Sequence, residues 1–171
     1  AFEESDKRDE LVQRIVGSYD KNLTLSNVKT SDITDREKPL KFDYDFEMNN
    51  RVTSAGNETY ISIDFNNDFE DMIPDEKRLN DYMLDEKISR SYTTEFEVPK
   101  GFKVKYLPES LSINKPDYKF EVSYKQTGNK VVLTKKLLMD KGRIKKSIFA
   151  DWKKDVKQLK KMNAEQIVLT K

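Results

Sequence analysis

Three groups of residues have types and spacings that could support chemistry. The first is DFNNDFEDMIPD, residues 64–75, where Asp64, Asn66 and Asp68 repeat the D-x-N-x-D start of a calcium loop. The sixth position of such a loop is a glycine and the twelfth a glutamate; here they are Phe69 and Asp75. Hard oxygen ligands are present without the turn that would converge them. The stretch is therefore read as a solvated acidic loop, with no metal assigned. The second group is Asp43, Asp45 and Glu47, alternating along one segment. Carboxylates two apart on a strand share a face at roughly 7 Å, a spacing that glycoside hydrolysis permits. That chemistry also needs an apolar pocket to raise one pKa, and none is evident. These three read as a wet sheet face. The third group is basic: Lys153, Lys154, Lys157, Lys160 and Lys161, near the end of the chain.

Other chemistry is excluded outright. The 171 residues contain no cysteine and no histidine. Thiol nucleophiles, disulfides, Cys/His zinc sites and the commonest general base are all unavailable. A serine nucleophile would have no histidine partner. No cofactor site is indicated.

The five lysines alternate with an apolar stripe. Ile148, Phe149, Trp152, Val156, Leu159 and Met162 recur at helical spacing, which predicts a helix with one buried side and a basic outer side. Cations near a helix C-terminus favour its dipole. Nucleic-acid surfaces interleave arginine with aromatics, and this helix has no arginine, so no nucleic-acid partner is expected. An anionic partner remains the functional alternative to an ordinary wet face. The charge asymmetry of the chain allows it: residues 1–129 hold 19 basic and 27 acidic residues, whereas residues 130–161 hold 12 basic and 3 acidic ones. The same asymmetry could be satisfied internally.

The elements that must position these groups are mostly strands. Charged residues make up 37% of the chain, yet 9 Phe, 8 Tyr and 1 Trp suffice for a core. Ser5 to Val16 reads as a short helix capped by Ser5 and ended by Gly17. A weak extended segment follows at Leu23, Leu25 and Val28, then a polar linker to Pro39. LKFDYDFEM alternates strictly, which predicts Leu40, Phe42, Tyr44 and Phe46 buried and Lys41, Asp43 and Asp45 in water. Hairpins are expected at Ala55-Gly56-Asn57 and Thr127-Gly128-Asn129, and a turn between two strands at Pro99-Lys100-Gly101. Residues 66–88 read as acidic and irregular, with a helical turn near Leu79, Tyr82 and Met83. Seven or eight antiparallel strands, a terminal helix and a last strand, Ile167 to Leu169, give a mainly β antiparallel β-sandwich. The last strand is expected at a sheet edge. Residues 1–20 would be a helix and connection from an upstream domain, and residues 21–171 the sandwich. No stretch approaches a membrane span. The chain begins Ala1-Phe2-Glu3-Glu4 without a methionine, which reads as a mature or excised segment of a longer protein.

Three runs carry a family resemblance. EFEVPKGFKVKYLPES, FADWKKDVKQLKKMNAEQIVLTK and KPLKFDYDFEMNNRVTSAGNETYISI resemble turn and packing patterns of the C-terminal β-rich domain of exported bacterial transglutaminase-like proteins. In that family a papain-fold domain bearing Cys, His and Asp precedes the β-rich domain, whose function is unknown. The resemblance implies a non-catalytic accessory domain that scaffolds or positions a transglutaminase-like domain through intramolecular contact. It implies an exported location, in the periplasm or at the cell surface. The alternative is a sandwich that binds carbohydrate or another cell-envelope polymer.

Overall fold

The computed structural model describes residues 23–32, 37–75, 77–84 and 86–171. The predicted helix over Ser5 to Val16 lies outside the described residues. The described residues divide into two compact units on either side of the Arg51–Val52 junction.

In the first unit, β1 (Leu23–Thr30) pairs antiparallel with β2 (Phe42–Met48) in a two-stranded ribbon with a register shift between Ser26 and Lys29. The alternation of LKFDYDFEM does form a strand, but the predicted burial fails. Leu40 is 53% exposed, Phe46 41% and Tyr44 36%. A two-stranded ribbon has no second layer of its own, so neither face is fully covered. Tyr44 and Phe46 instead lie against each other with ring centres 6.3 Å apart.

The second unit holds the core. Its larger sheet has the order β6 (Ile88–Glu97), β10 (Lys130–Met139), β9 (Tyr118–Thr127), β8 (Leu111–Asn114), all antiparallel. Its other four-stranded sheet has the order β3 (Val52–Ala55), β4 (Glu58–Ile61), β12 (Ile167–Thr170), β7 (Lys103–Tyr106). Ile61, Ile167 and Leu169 from the second sheet join Val122, Leu133 and Leu137 from the first in one hydrophobic cluster. The architecture is that of a mainly β, antiparallel sandwich with one C-terminal helix, as the strand pattern predicts. Gly56 and Gly128 take φ of 63° and 61° at the two expected hairpin turns, a conformation that costs glycine little, whereas Gly101, at φ 89°, turns the chain from β6 in one sheet to β7 in the other.

Two expectations are corrected. The last strand is not at an edge: β12 lies between β4 and β7 and pairs with both. Ile167, Val168 and Leu169 are all buried, Ile167 and Leu169 in the core and Val168 between its flanking neighbours Tyr60 and Tyr106. The helical turn near Tyr82 is absent. Tyr82–Met83 (β5) pairs instead with Arg143–Ile144 (β11), because Ile144 is drawn into the core.

Helix α1 (Phe149–Asn163) follows a single 3-10 turn at Lys146–Ile148. Its stripe behaves as the spacing predicts, with Phe149, Trp152, Val156, Leu159 and Met162 buried. The Trp152 ring meets Tyr118, Phe69 and Phe120 edge-on at 4.9, 5.6 and 5.7 Å. Its indole Nε1 donates to the Met72 carbonyl at 2.6 Å, so the polar end of the largest core side chain is satisfied.

Candidate functional site

The core-facing row of β10 reads Val131, Leu133, Lys135, Leu137, Met139, all buried. A lysine therefore stands where the strand period demands an apolar residue. Its neighbours across the sheet are Tyr92 on β6 and Val122 on β9. Lys135 is 0% exposed, and a buried ammonium must find acceptors for its three N–H donors. It donates to Asp64 Oδ2 at 2.9 Å, Asn163 Oδ1 at 2.7 Å and the Asn66 carbonyl at 2.5 Å.

Each acceptor is itself held. The Asn66 amide donates to Asp64 Oδ1 at 3.0 Å, which fixes the carboxylate. Asn163, the last residue of α1, donates from Nδ2 to Glu70 Oε1 at 2.9 Å. Glu70 Oε2 lies 3.3 Å from Lys160 Nζ, so this candidate lysine is tied into the centre. Lys154, Lys157, Lys160 and Lys161 are exposed and Lys153 is half-buried. The five line one side of the helix.

The acidic loop is corrected by this geometry. Asp64 is 2% exposed, so residues 64–75 are not a solvated loop throughout. The carboxylates face protein cations: Asp64 meets Lys135, and Asp68 pairs with Arg90 of β6. Phe69, at the position where a calcium loop needs glycine, does adopt a left-handed φ of 66°. Its ring stacks 5.4 Å from Phe120, and that burial holds a backbone conformation rare for a bulky residue. Among the described residues, no three His, Cys, Asp or Glu side chains are gathered for a metal. Asp43, Asp45 and Glu47 stand exposed on β2, with Asp45 accepting from Asn27 at 2.6 Å.

Tyr92 on β6 and Tyr118 and Tyr124 on β9 lie in the same sheet as Lys135. Burial raises the Tyr92 hydroxyl to about 12, with the Asp68 charge adding to the effect. Burial also pushes Tyr124 up, helped by the charges of Asp64 and Glu165. The Tyr124 hydroxyl is buried with no hydrogen-bond partner among the described residues. Tyr118 is raised by burial and by donating to Asp155 Oδ2 at 2.8 Å.

Two surface features accompany the centre. On the face of β12 opposite its core-facing Ile167 and Leu169, Val168 pairs with Tyr60 on one side and Tyr106 on the other. The Tyr60 hydroxyl donates to Glu58 Oε2 at 2.6 Å, and Lys105 pairs with the same carboxylate. A cleft of about 640 Å³ opens between the Pro99-Lys100-Gly101 turn and Gly128-Asn129, with Phe102 and Gln126 in its wall.

Chemically, the centre offers an amine, a carboxamide and one carboxylate in mutual contact and shut away from water, with the half-buried Glu70 carboxylate behind the carboxamide. Sequence reasoning counted Lys135 only as one more basic residue. The signal that locates it is its place in the apolar alternation of β10.

Neither curated proteins nor solved structures gave a match. A family profile described as a domain of unknown function with solved structure (DUF3858) matches residues 57–169, which takes in the β4-to-β12 sandwich, the Lys135 centre and α1. The chain belongs to this DUF3858 family.

Proposed function

We propose that the chain is a non-catalytic accessory domain that scaffolds or positions a transglutaminase-like domain in an exported protein. The supporting observation is the closure of the polar centre. A group acting on a diffusing substrate must be reachable by it, and Lys135 and Asp64 are 0% and 2% exposed. The chain also has no cysteine or histidine to supply a papain-like triad. The resemblance of EFEVPKGFKVKYLPES and the terminal run to β-rich domains of such proteins supplies the partner and the periplasmic or cell-surface setting. The test is to express the whole reading frame that encodes this chain, with and without residues 52–171. The expected outcome is an upstream Cys/His/Asp domain whose melting temperature or activity falls when the sandwich is deleted. A reading frame without such a domain overturns the proposal, as does a deletion that changes neither quantity.

A second reading, a module for a cell-envelope polysaccharide, is supported by the Tyr60–Val168–Tyr106 row. Two strand spacings separate the tyrosines by about 10 Å, and an aromatic face can stack on a sugar ring. Affinity electrophoresis in soluble envelope glycans tests it. Retardation lost in Tyr106→Ala would support this reading, and unretarded wild-type protein would remove it.

A further inference from the structure

The Lys135 centre holds every group that an amide-forming reaction requires. The amine is Lys135 Nζ. The acyl donor is the carboxamide of Asn163, whose Oδ1 lies 2.7 Å from that nitrogen. The carbon to be attacked is one carbonyl bond, about 1.2 Å, from that oxygen. The proton carrier is Asp64, with Oδ2 at 2.9 Å from the same Nζ. Glu70 Oε1 holds the departing end of the amide, Nδ2, at 2.9 Å. Asn163 is 8% exposed, so bulk water competes poorly for its carbonyl carbon. The four residues come from β10, α1 and the 62–75 segment, so the fold alone concentrates them. Such fixed proximity replaces a slow bimolecular encounter by an intramolecular one.

We propose that Lys135 and Asn163 become joined by a spontaneous isopeptide bond, with Asp64 as the proton carrier. The Lys135 ammonium passes a proton to the Asp64 carboxylate. The freed lone pair on Nζ adds to Cγ of Asn163, and the C=O electron pair moves onto Oδ1. When the carbonyl reforms, the Cγ–Nδ2 bond breaks. The leaving nitrogen takes the proton held by Asp64 and a second one from Nζ, and departs as ammonium past Glu70. One C–N bond forms and one breaks, nothing is oxidised or reduced, and Asp64 ends as the carboxylate it began. The product ties β10 to the end of α1 across 28 positions. A cross-link of that span removes conformations from the unfolded chain, as a disulfide does, in a protein that has no cysteine.

The experiment is an intact mass of the full 171-residue chain, measured under denaturing conditions. The expected mass is lower than the sequence mass by one ammonia, about 17 Da, because the lysine amine displaces the amide nitrogen. Tryptic mapping should then give residues 131–136 joined to residues 162–171, with no cleavage after Lys135. Asn163→Ala and Lys135→Arg should return to full mass, a reading that does not require them to fold. Asp64→Asn keeps both reacting groups and should also stay at full mass. Wild-type protein at full mass overturns the proposal. So does an ammonia loss that maps within a single linear peptide, which would be a cyclised asparagine. Continued ammonia loss in Asp64→Asn overturns the role given to Asp64.

Discussion

Lys135 and Asp64 stand 71 positions apart in the chain, yet their charged ends meet at 2.9 Å with both side chains sealed from water. One comes from the middle of the central sheet, the other from the acidic segment after β4. The pair anchors that segment over the sheet, and Phe69 then reaches Phe120 and Trp152.

Breaking the pair one side at a time should cost far more than its net worth. In an Asn163→Ala background, where Lys135 stays an ammonium, Lys135→Met leaves Asp64 buried without its cation and should lower stability by about 3–5 kcal/mol. The double variant Lys135→Met with Asp64→Leu removes both charges and should be markedly more stable than the single. Denaturant midpoints decide it. A Lys135→Met change that costs less than about 1 kcal/mol in that background would show that the centre does not anchor the segment.

Trp152→Ala should cost about 3–5 kcal/mol, since it empties a site contacted by three rings. The five-fold Lys→Gln variant at 153, 154, 157, 160 and 161 should lose only tenths of a kcal/mol per exposed site. Thermal melting compares the two, and the reverse ranking would mean that α1 is held by its basic face.

Two tyrosines should answer oppositely to loss of their hydroxyls. Tyr118 donates to Asp155, so Tyr118→Phe should destabilise by about 1 kcal/mol. The Tyr124 hydroxyl is buried with no partner among the described residues, so Tyr124→Phe should be neutral or stabilising by up to about 1 kcal/mol. Equal losses in both would contradict the hydrogen-bond assignment.

Alkaline pH should weaken the fold. Tyr92, raised to about 12, and Tyr118, also raised, keep their protons in the folded state after an unfolded tyrosine has lost its own near pH 10. Their contribution is fully present below pH 10 and declines as pH rises through the folded values. Stability measured from pH 9 to 12 should fall, and it should fall less steeply in Tyr118→Phe. A flat profile would rule the coupling out.

The second half of the fold was legible because its strands alternate and its turns carry glycine. Gly128 marks a hairpin, and Gly101 a turn between two strands. The helix was legible for the same reason, with Trp152 and Val156 on the expected side. The site was not. Lysine is ordinarily a surface residue, so Lys135 was counted with its charged neighbours although Leu133 and Leu137 flank it at the strand period. Asp64 looked solvated because its partner lies 71 positions away, beyond any local pattern. The position of β12 was misread because a chain end suggests an edge, whereas three consecutive buried residues, Ile167 to Leu169, are the mark of an inner strand.

That inner position sets an order of events during synthesis. β4 and β7 are made before β12, yet they are joined only through it, and β12 begins more than sixty positions after β7 does. Until residues 167–170 emerge, both strands expose unpaired backbone edges. From the synthesis of β4 to that of β12 the nascent chain must therefore carry an open sheet, and closure comes as one long-range step.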